Sequence, residues 1–180
     1  MLQEGRRNLH LGCGLINHPD YINVDIFPAP HVHYVRKIDN LKPFADNTID
    51  LVYASHCLEH FSYRKTGHVL EEWFRVLKPR GILRVSVPDF DLLVEIYKSF
   101  GNDINRILPP LMGGQNSRFD FHYSVFNYEA LAKNLYSVGF SEVRRWEAKS
   151  IETGMDDWAS TPYVIDGRAF PVSINVEAKK

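Results

Sequence analysis

In this chain of 180 residues, Leu9-His10-Leu11-Gly12-Cys13-Gly14 is followed by Asp25 at the end of Tyr21-Ile22-Asn23-Val24-Asp25. An apolar run that stops at two glycines lets a backbone turn come close to a ligand, because no Cβ stands in the way. A carboxylate closing the next apolar run is placed to accept hydrogen bonds from ribose hydroxyls. Together the two features point to a nucleoside cofactor; singly, they read as a tight strand exit and a turn residue. His56 and His60 in His56-Cys57-Leu58-Glu59-His60, His122 in Arg118-Phe119-Asp120-Phe121-His122-Tyr123-Ser124-Val125-Phe126, and Asp89 in Val87-Pro88-Asp89 are groups able to move a proton.

These residues must be positioned by the elements around them. Asn8 to Leu11, Tyr21 to Val24, His33 to Val35, Ile49 to Ala54 and Ile82 to Val87 are short apolar runs bounded by Gly, Pro, Asp or Asn, and several are too apolar to have one wet face. That predicts a parallel sheet covered on both sides. Val69, Leu70, Trp73, Val76 and Leu77 recur at helical spacing between the last two strands, completing a crossover unit closed by Lys78 and Pro79. Asp89 can cap a helix carrying Leu92, Leu93, Ile96 and Tyr97, and Glu129 to Val138 reads as a helix stopped by Gly139. Glu142 to Glu147 and Val172 to Ala178 read as late strands, the second alternating apolar and polar as an antiparallel addition near the sheet edge would. The stretches 107–127 and 152–171 are expected to be irregular and are candidate binding loops.

Composition narrows the function classes. Charged residues make up 24% of the chain at a net charge of −1, with no Lys/Arg run beyond pairs, so nucleic-acid binding is not signalled. No apolar stretch is long enough for a membrane span, and the start lacks a signal-peptide core, so a cytoplasmic protein without membrane partners is expected. Cys13 and Cys57 read as free thiols that can approach each other. The length suits a single domain over 1–180, with a cofactor-binding half over 1–100 and a C-terminal half over 101–180 holding the candidate acceptor loops.

The residues resemble the class I S-adenosylmethionine-dependent methyltransferases, in particular a small, type 11-like branch whose first motif reads Leu-x-Leu-Gly-Cys-Gly. The blocks Leu9 to Gly14, Ile22 to Asp25, Leu41 to Val52, Ser55 to Phe61 and Arg75 to Leu83 match in order; the last resembles the family's Arg-Val-Leu-Lys-Pro-Gly-Gly turn. The resemblance implies a Rossmann-like, doubly wound α/β fold with a mostly parallel seven-stranded sheet and an antiparallel strand near its edge. It further implies that Leu11, Gly12, Cys13 and Gly14 turn beneath S-adenosyl-L-methionine, and that Asp25 binds its ribose. Ile26 and Leu41 would pack on the adenine, Asp39 or Asn40 would meet the adenine edge, and Ser55 and His56 would line the transfer site.

Two departures stand out. Only Leu15 to Asp20 separate the glycines from the next strand, too few for the helix usual there, so the turn's own amides would have to cradle the cofactor carboxylate. The family's acidic residue before the glycine motif is also replaced, position 9 being Leu9 and position 10 His10.

Methyl transfer from a sulfonium is an in-line displacement that needs alignment above all, with a general base only for a hydroxyl or protonated amine acceptor. His56, His60, Asp89 and His122 are the candidates. The expected acceptor is a small molecule or glycan. A non-catalytic cofactor- or nucleotide-binding partner subunit is the alternative. His56-Cys57-Leu58-Glu59-His60 also matches a zinc-protease pattern, but it begins at a predicted strand end, whereas that chemistry needs both histidines on one helix. No metal ligand is therefore assigned, and a zinc hydrolase using His56, Glu59 and His60 is a minor alternative.

Overall fold

A computed structural model describes residues 7–148 and 155–180, so 152–154 of the second expected loop lie outside the described residues. Its sheet runs β3-β2-β1-β4-β5-β9-β6, with β1 Asn8–Leu11, β2 Ile22–Asp25, β3 Tyr34–Val35, β4 Ile49–Ser55, β5 Leu77–Pro88, β6 Ser141–Arg145 and β9 Ser173–Lys179. Strands β1 to β5 are mutually parallel, and β9 lies antiparallel between β5 and β6. This is the expected Rossmann-like class. The chain leaves β1 towards β2 and β3, then returns to β4 on the other side, which opens a crevice at the carboxyl ends of β1 and β4 where ligands of such sheets bind.

Alternation along the strands sorts side chains onto two faces. Leu9, Leu11, Val52 and Ala54 join the main core with Val69, Leu70, Trp73 and Val76 of α1 (Thr66–Val76) and Leu131, Ala132 and Leu135 of α4 (Tyr128–Val138). Trp73 is fully buried and satisfies its indole N–H on the Ile38 carbonyl at 2.9 Å. Asn127 caps α4 by accepting from the Ala130 amide, and Gly139 ends it at φ 112°.

On the opposite face, the space usually covered by a helix after β1 is filled by rings. His10 lies edge-on to Tyr53 and Tyr21, and Tyr53 to Trp146, while Met155 packs with Tyr21 and Tyr53. His10 is thus a core residue, and burial, followed by the fields of His18 and His31, lowers its pKa from 6.5 to about 4.

Three elements differ from the sequence expectation. β5 begins as soon as α1 ends, and it bulges where Arg80 adopts φ 68°. The stretch 107–127 contains a short helix, α3 (Leu108–Met112). The stretch expected to be irregular over 152–171 contains a hairpin, β7 (Tyr163–Ile165) and β8 (Arg168–Phe170), turned by Asp166 and Gly167 at φ 49° and 75°. Positive φ at both central residues is the two-residue turn that Asp-Gly favours.

Candidate active site at the carboxyl edge of the sheet

The glycine turn is built by hydrogen bonds to β2. Gly12 and Cys13 donate their amides to the Val24 carbonyl at 2.8 and 3.4 Å. The Gly14 amide donates to Asp25 Oδ2 and the Phe27 amide to Asp25 Oδ1, each at 2.9 Å. His31 Nε2 donates to the Gly14 carbonyl at 2.9 Å. Gly12 and Gly14 adopt φ 65° and 53°, as the turn demands. The Gly12, Cys13 and Gly14 amides are all consumed within the protein, so the expected backbone cradle for a carboxylate does not form from them.

Asp25 is buried at the foot of this turn. An ionised carboxylate has about four lone-pair sites, and Asp25 uses two on backbone amides, leaving capacity for two hydroxyls. A Cβ at Gly14 would meet nothing within 4 Å, so the turn presents a bare backbone beside that carboxylate. The arrangement fits the ribose of a nucleoside cofactor. His10, on the far face, brings no carboxylate to its amino-acid end.

The other residues expected at the cofactor are distributed unequally. Leu11 is buried in β1, and Ile26 follows Asp25 directly, half-buried. Leu41 is fully buried, its amide donating to Glu72 and its carbonyl accepting from Arg75. Asp39 and Asn40 line a groove with His68, Glu72 and Arg75 of α1.

β4 delivers the second half of the edge. Ser55 ends the strand and His56 follows at φ 50°, a left-handed conformation that is uncommon and costly for a residue with a side chain. His56 Nδ1 lies 3.2 Å from Glu59 Oε1, and its Nε2 lies 2.8 Å from Ser173 Oγ. Ser173 opens β9; because that strand is antiparallel, its first residue reaches the carboxyl edge. The polar alternation of β9 gave no sign of this role.

Glu59 is 1% exposed and lies at the centre of three histidines. Burial, the largest influence, raises its pKa, but the polar contact with His56 and the fields of His56, His60 and His122 outweigh it and hold the carboxyl below its ordinary value. His122 Nε2 is 4.0 Å from Glu59 Oε1, and burial lowers the pKa of that imidazole. His122 is carried in by backbone bonds: the Tyr123 and Ser124 amides donate to the Glu59 carbonyl, and Ser124 Oγ donates to the Phe61 carbonyl. His60 Nδ1 donates to the Phe121 carbonyl at 3.1 Å.

The same segment reaches the cofactor side, where Phe119 sits edge-on to Phe27 at 5.4 Å. Asp89 caps α2 (Phe90–Ser99) by accepting from the Asp91 amide, and burial raises its pKa. The two thiols are buried, and burial first of all raises Cys13 to about 11 and Cys57 well above its ordinary value, so neither is a ready nucleophile. His56 follows the end of β4 and Glu59 and His60 lie in a 3-10 turn, so His56 and His60 do not share an α-helix as the zinc-protease pattern requires.

Residues 18–85 match the model of a family described as a methyltransferase domain. The ubiquinone/menaquinone biosynthesis C-methyltransferase of Blochmanniella floridana is 27% identical over 151 residues, 80% of this chain and 53% of that protein. That of Vibrio vulnificus strain YJ016 is 36% identical over 73 residues, 39% of this chain and 27% of that protein. The chain thus spans about half the length, or less, of these curated relatives.

Among solved structures, a SAM-dependent methyltransferase from Archaeoglobus fulgidus matches at a TM-score of 0.60 and 20% identity, covering 99% of this chain and 88% of that one. The 1,6-didemethyltoxoflavin-N1-methyltransferase of Burkholderia thailandensis, solved with 1,6-didemethyltoxoflavin and S-adenosylhomocysteine, matches at 0.59 and 17% identity, covering 98% and 72%. The strand order and the glycine turn beside Asp25 define the class I methyltransferase fold. The chain shares the fold of these methyltransferases, and its residues 18–85 carry the match to the methyltransferase-domain family.

Proposed function

We propose that this chain transfers a methyl group from S-adenosylmethionine to a small molecule or glycan. The observation that carries the reading is the bare Gly12-Cys13-Gly14 turn with Asp25 locked beneath it at the switch point of the sheet. When bound, the cofactor supplies an electrophilic methyl group on a sulfonium. Asp25 would hold the ribose, Gly12 to Gly14 would admit it, and Ser55 and His56 would border the acceptor. His56 is held at that edge through both ring nitrogens, by Glu59 and Ser173; where the acceptor is a hydroxyl, His60, Asp89 and His122 are the other candidates for its proton. Phe119, Phe121 and Tyr123 would exclude water and offer rings to the acceptor. The curated relatives are by name C-methyltransferases of ubiquinone/menaquinone biosynthesis, and the Burkholderia enzyme is by name a 1,6-didemethyltoxoflavin-N1-methyltransferase, which supports a small-molecule acceptor.

A non-catalytic binding subunit is the second reading, favoured by the consumed turn amides and by the core position of His10. Calorimetric titration with S-adenosylhomocysteine, for the native chain and Asp25→Asn, tests the cofactor role. Micromolar binding weakened about 10- to 100-fold in the variant is expected from a charge-assisted ribose contact. Absence of binding to folded native protein would reject it. Transfer of labelled methyl to an acceptor panel then separates enzyme from subunit.

A further inference from the structure

We infer that Glu59, His60 and His122 form a binding site for a divalent transition-metal ion of the zinc class. One ligand atom from each lies within 4.8 Å of the others, in a pairing that joins the turn after β4 to the loop before α4. Glu59 is 1% exposed, and neither of its carboxylate oxygens has a hydrogen-bond partner of good geometry. A buried carboxylate left in that state is costly, and a cation is the natural compensation.

The imidazoles are arranged as ligands. His60 spends its Nδ1–H on the Phe121 carbonyl, which leaves Nε2 as the lone-pair nitrogen, the outer-sphere arrangement that orients metal-binding histidines. His122 turns Nε2 towards Glu59. The Ser173 hydroxyl, with its single proton on the Trp158 carbonyl at 2.8 Å, accepts from His56 Nε2–H. His56 Nδ1 faces Glu59 Oε1, 3.2 Å away. A metal ion would engage Glu59, His60 and His122 together.

Two imidazoles and a carboxylate suit zinc, cobalt or ferrous iron better than magnesium or calcium. Tetrahedral coordination needs donor spacings of about 3.4 Å, so the ligands would draw together on binding. On the methyl-transfer reading, such an ion would border the acceptor and polarise its oxygen. The site itself is argued, and tested, without cofactor or acceptor.

The test is titration of the chelator-treated full chain with Zn²⁺ by calorimetry and with Co²⁺ by visible absorption, beside His60→Asn and His122→Asn. Folding of each protein is checked by circular dichroism. One equivalent at micromolar metal, with the intense visible bands of four-coordinate cobalt, is expected, together with at least about tenfold weaker binding in both folded variants. Folded native chain that takes up no metal at these concentrations overturns the proposal. Equal uptake by the variants overturns it too, by placing the ion elsewhere. Neither result bears on binding of S-adenosylhomocysteine.

Discussion

The Cys57 thiol occupies the space in which a side chain on Gly12 would begin. The two residues belong to different strand exits, after β1 and after β4, and their contact closes the floor of the crevice. Cys57 Sγ is itself within reach of the Ser55 and Leu11 carbonyls at 3.1 and 3.3 Å. The glycine motif is therefore required by the neighbouring thiol as well as by any ligand.

Gly12→Ala should destabilise the chain by roughly 2–4 kcal/mol, combining overpacking with a left-handed φ for a residue bearing a Cβ. Cys57→Ala in the same chain should return part of that loss, since removing Sγ relieves the clash and leaves only the φ cost. A double-mutant cycle by urea denaturation reads the coupling. Strict additivity would show that the contact carries no energy.

His10 should make stability depend on pH in a defined window. Its folded pKa of about 4 lies below the ordinary 6.5. Between these values the unfolded chain binds a proton that the folded chain refuses, so stability is full above pH 6.5 and falls as pH drops towards 4. The loss from this group between pH 7 and pH 5 is roughly 2 kcal/mol. His10→Phe keeps a ring against Tyr21 and Tyr53 and should lose less stability over the same interval. An identical loss in the variant would assign the pH dependence to other groups.

Arg80 stands at φ 68° where the related turn pattern has glycine, and its side chain is exposed. Arg80→Gly should raise stability by roughly 0.5–1 kcal/mol, because the left-handed backbone no longer carries a Cβ. The Arg80 amide bond to the Lys180 carbonyl is retained. A thermal midpoint about 2–4 °C higher is expected, and a lower one would show that the bulge needs the arginine stem.

Much of the framework was legible because it depends on local periodicity and on backbone chemistry at element ends. The apolar runs became β1, β2 and β4 with shifts of about a residue. Asp89 and Gly139 acted as cap and stop because a side-chain oxygen and a left-handed residue satisfy helix ends wherever the helix lies. The Asp166-Gly167 turn was equally visible, but its strands are too short to stand out from a loop.

What the sequence by itself determined was the order of the parallel strands' apolar runs, the glycine turn and its paired Asp25, all set by neighbours within a few dozen positions. The tertiary structure alone decided that His10 is a core ring. It also decided that Glu59 gathers His56, His60 and His122, with Ser173 on the far nitrogen of His56. Those partners are brought together by loop-to-loop backbone bonds and by an antiparallel last strand, and a contact between residues 59 and 122 leaves no periodic trace in the chain.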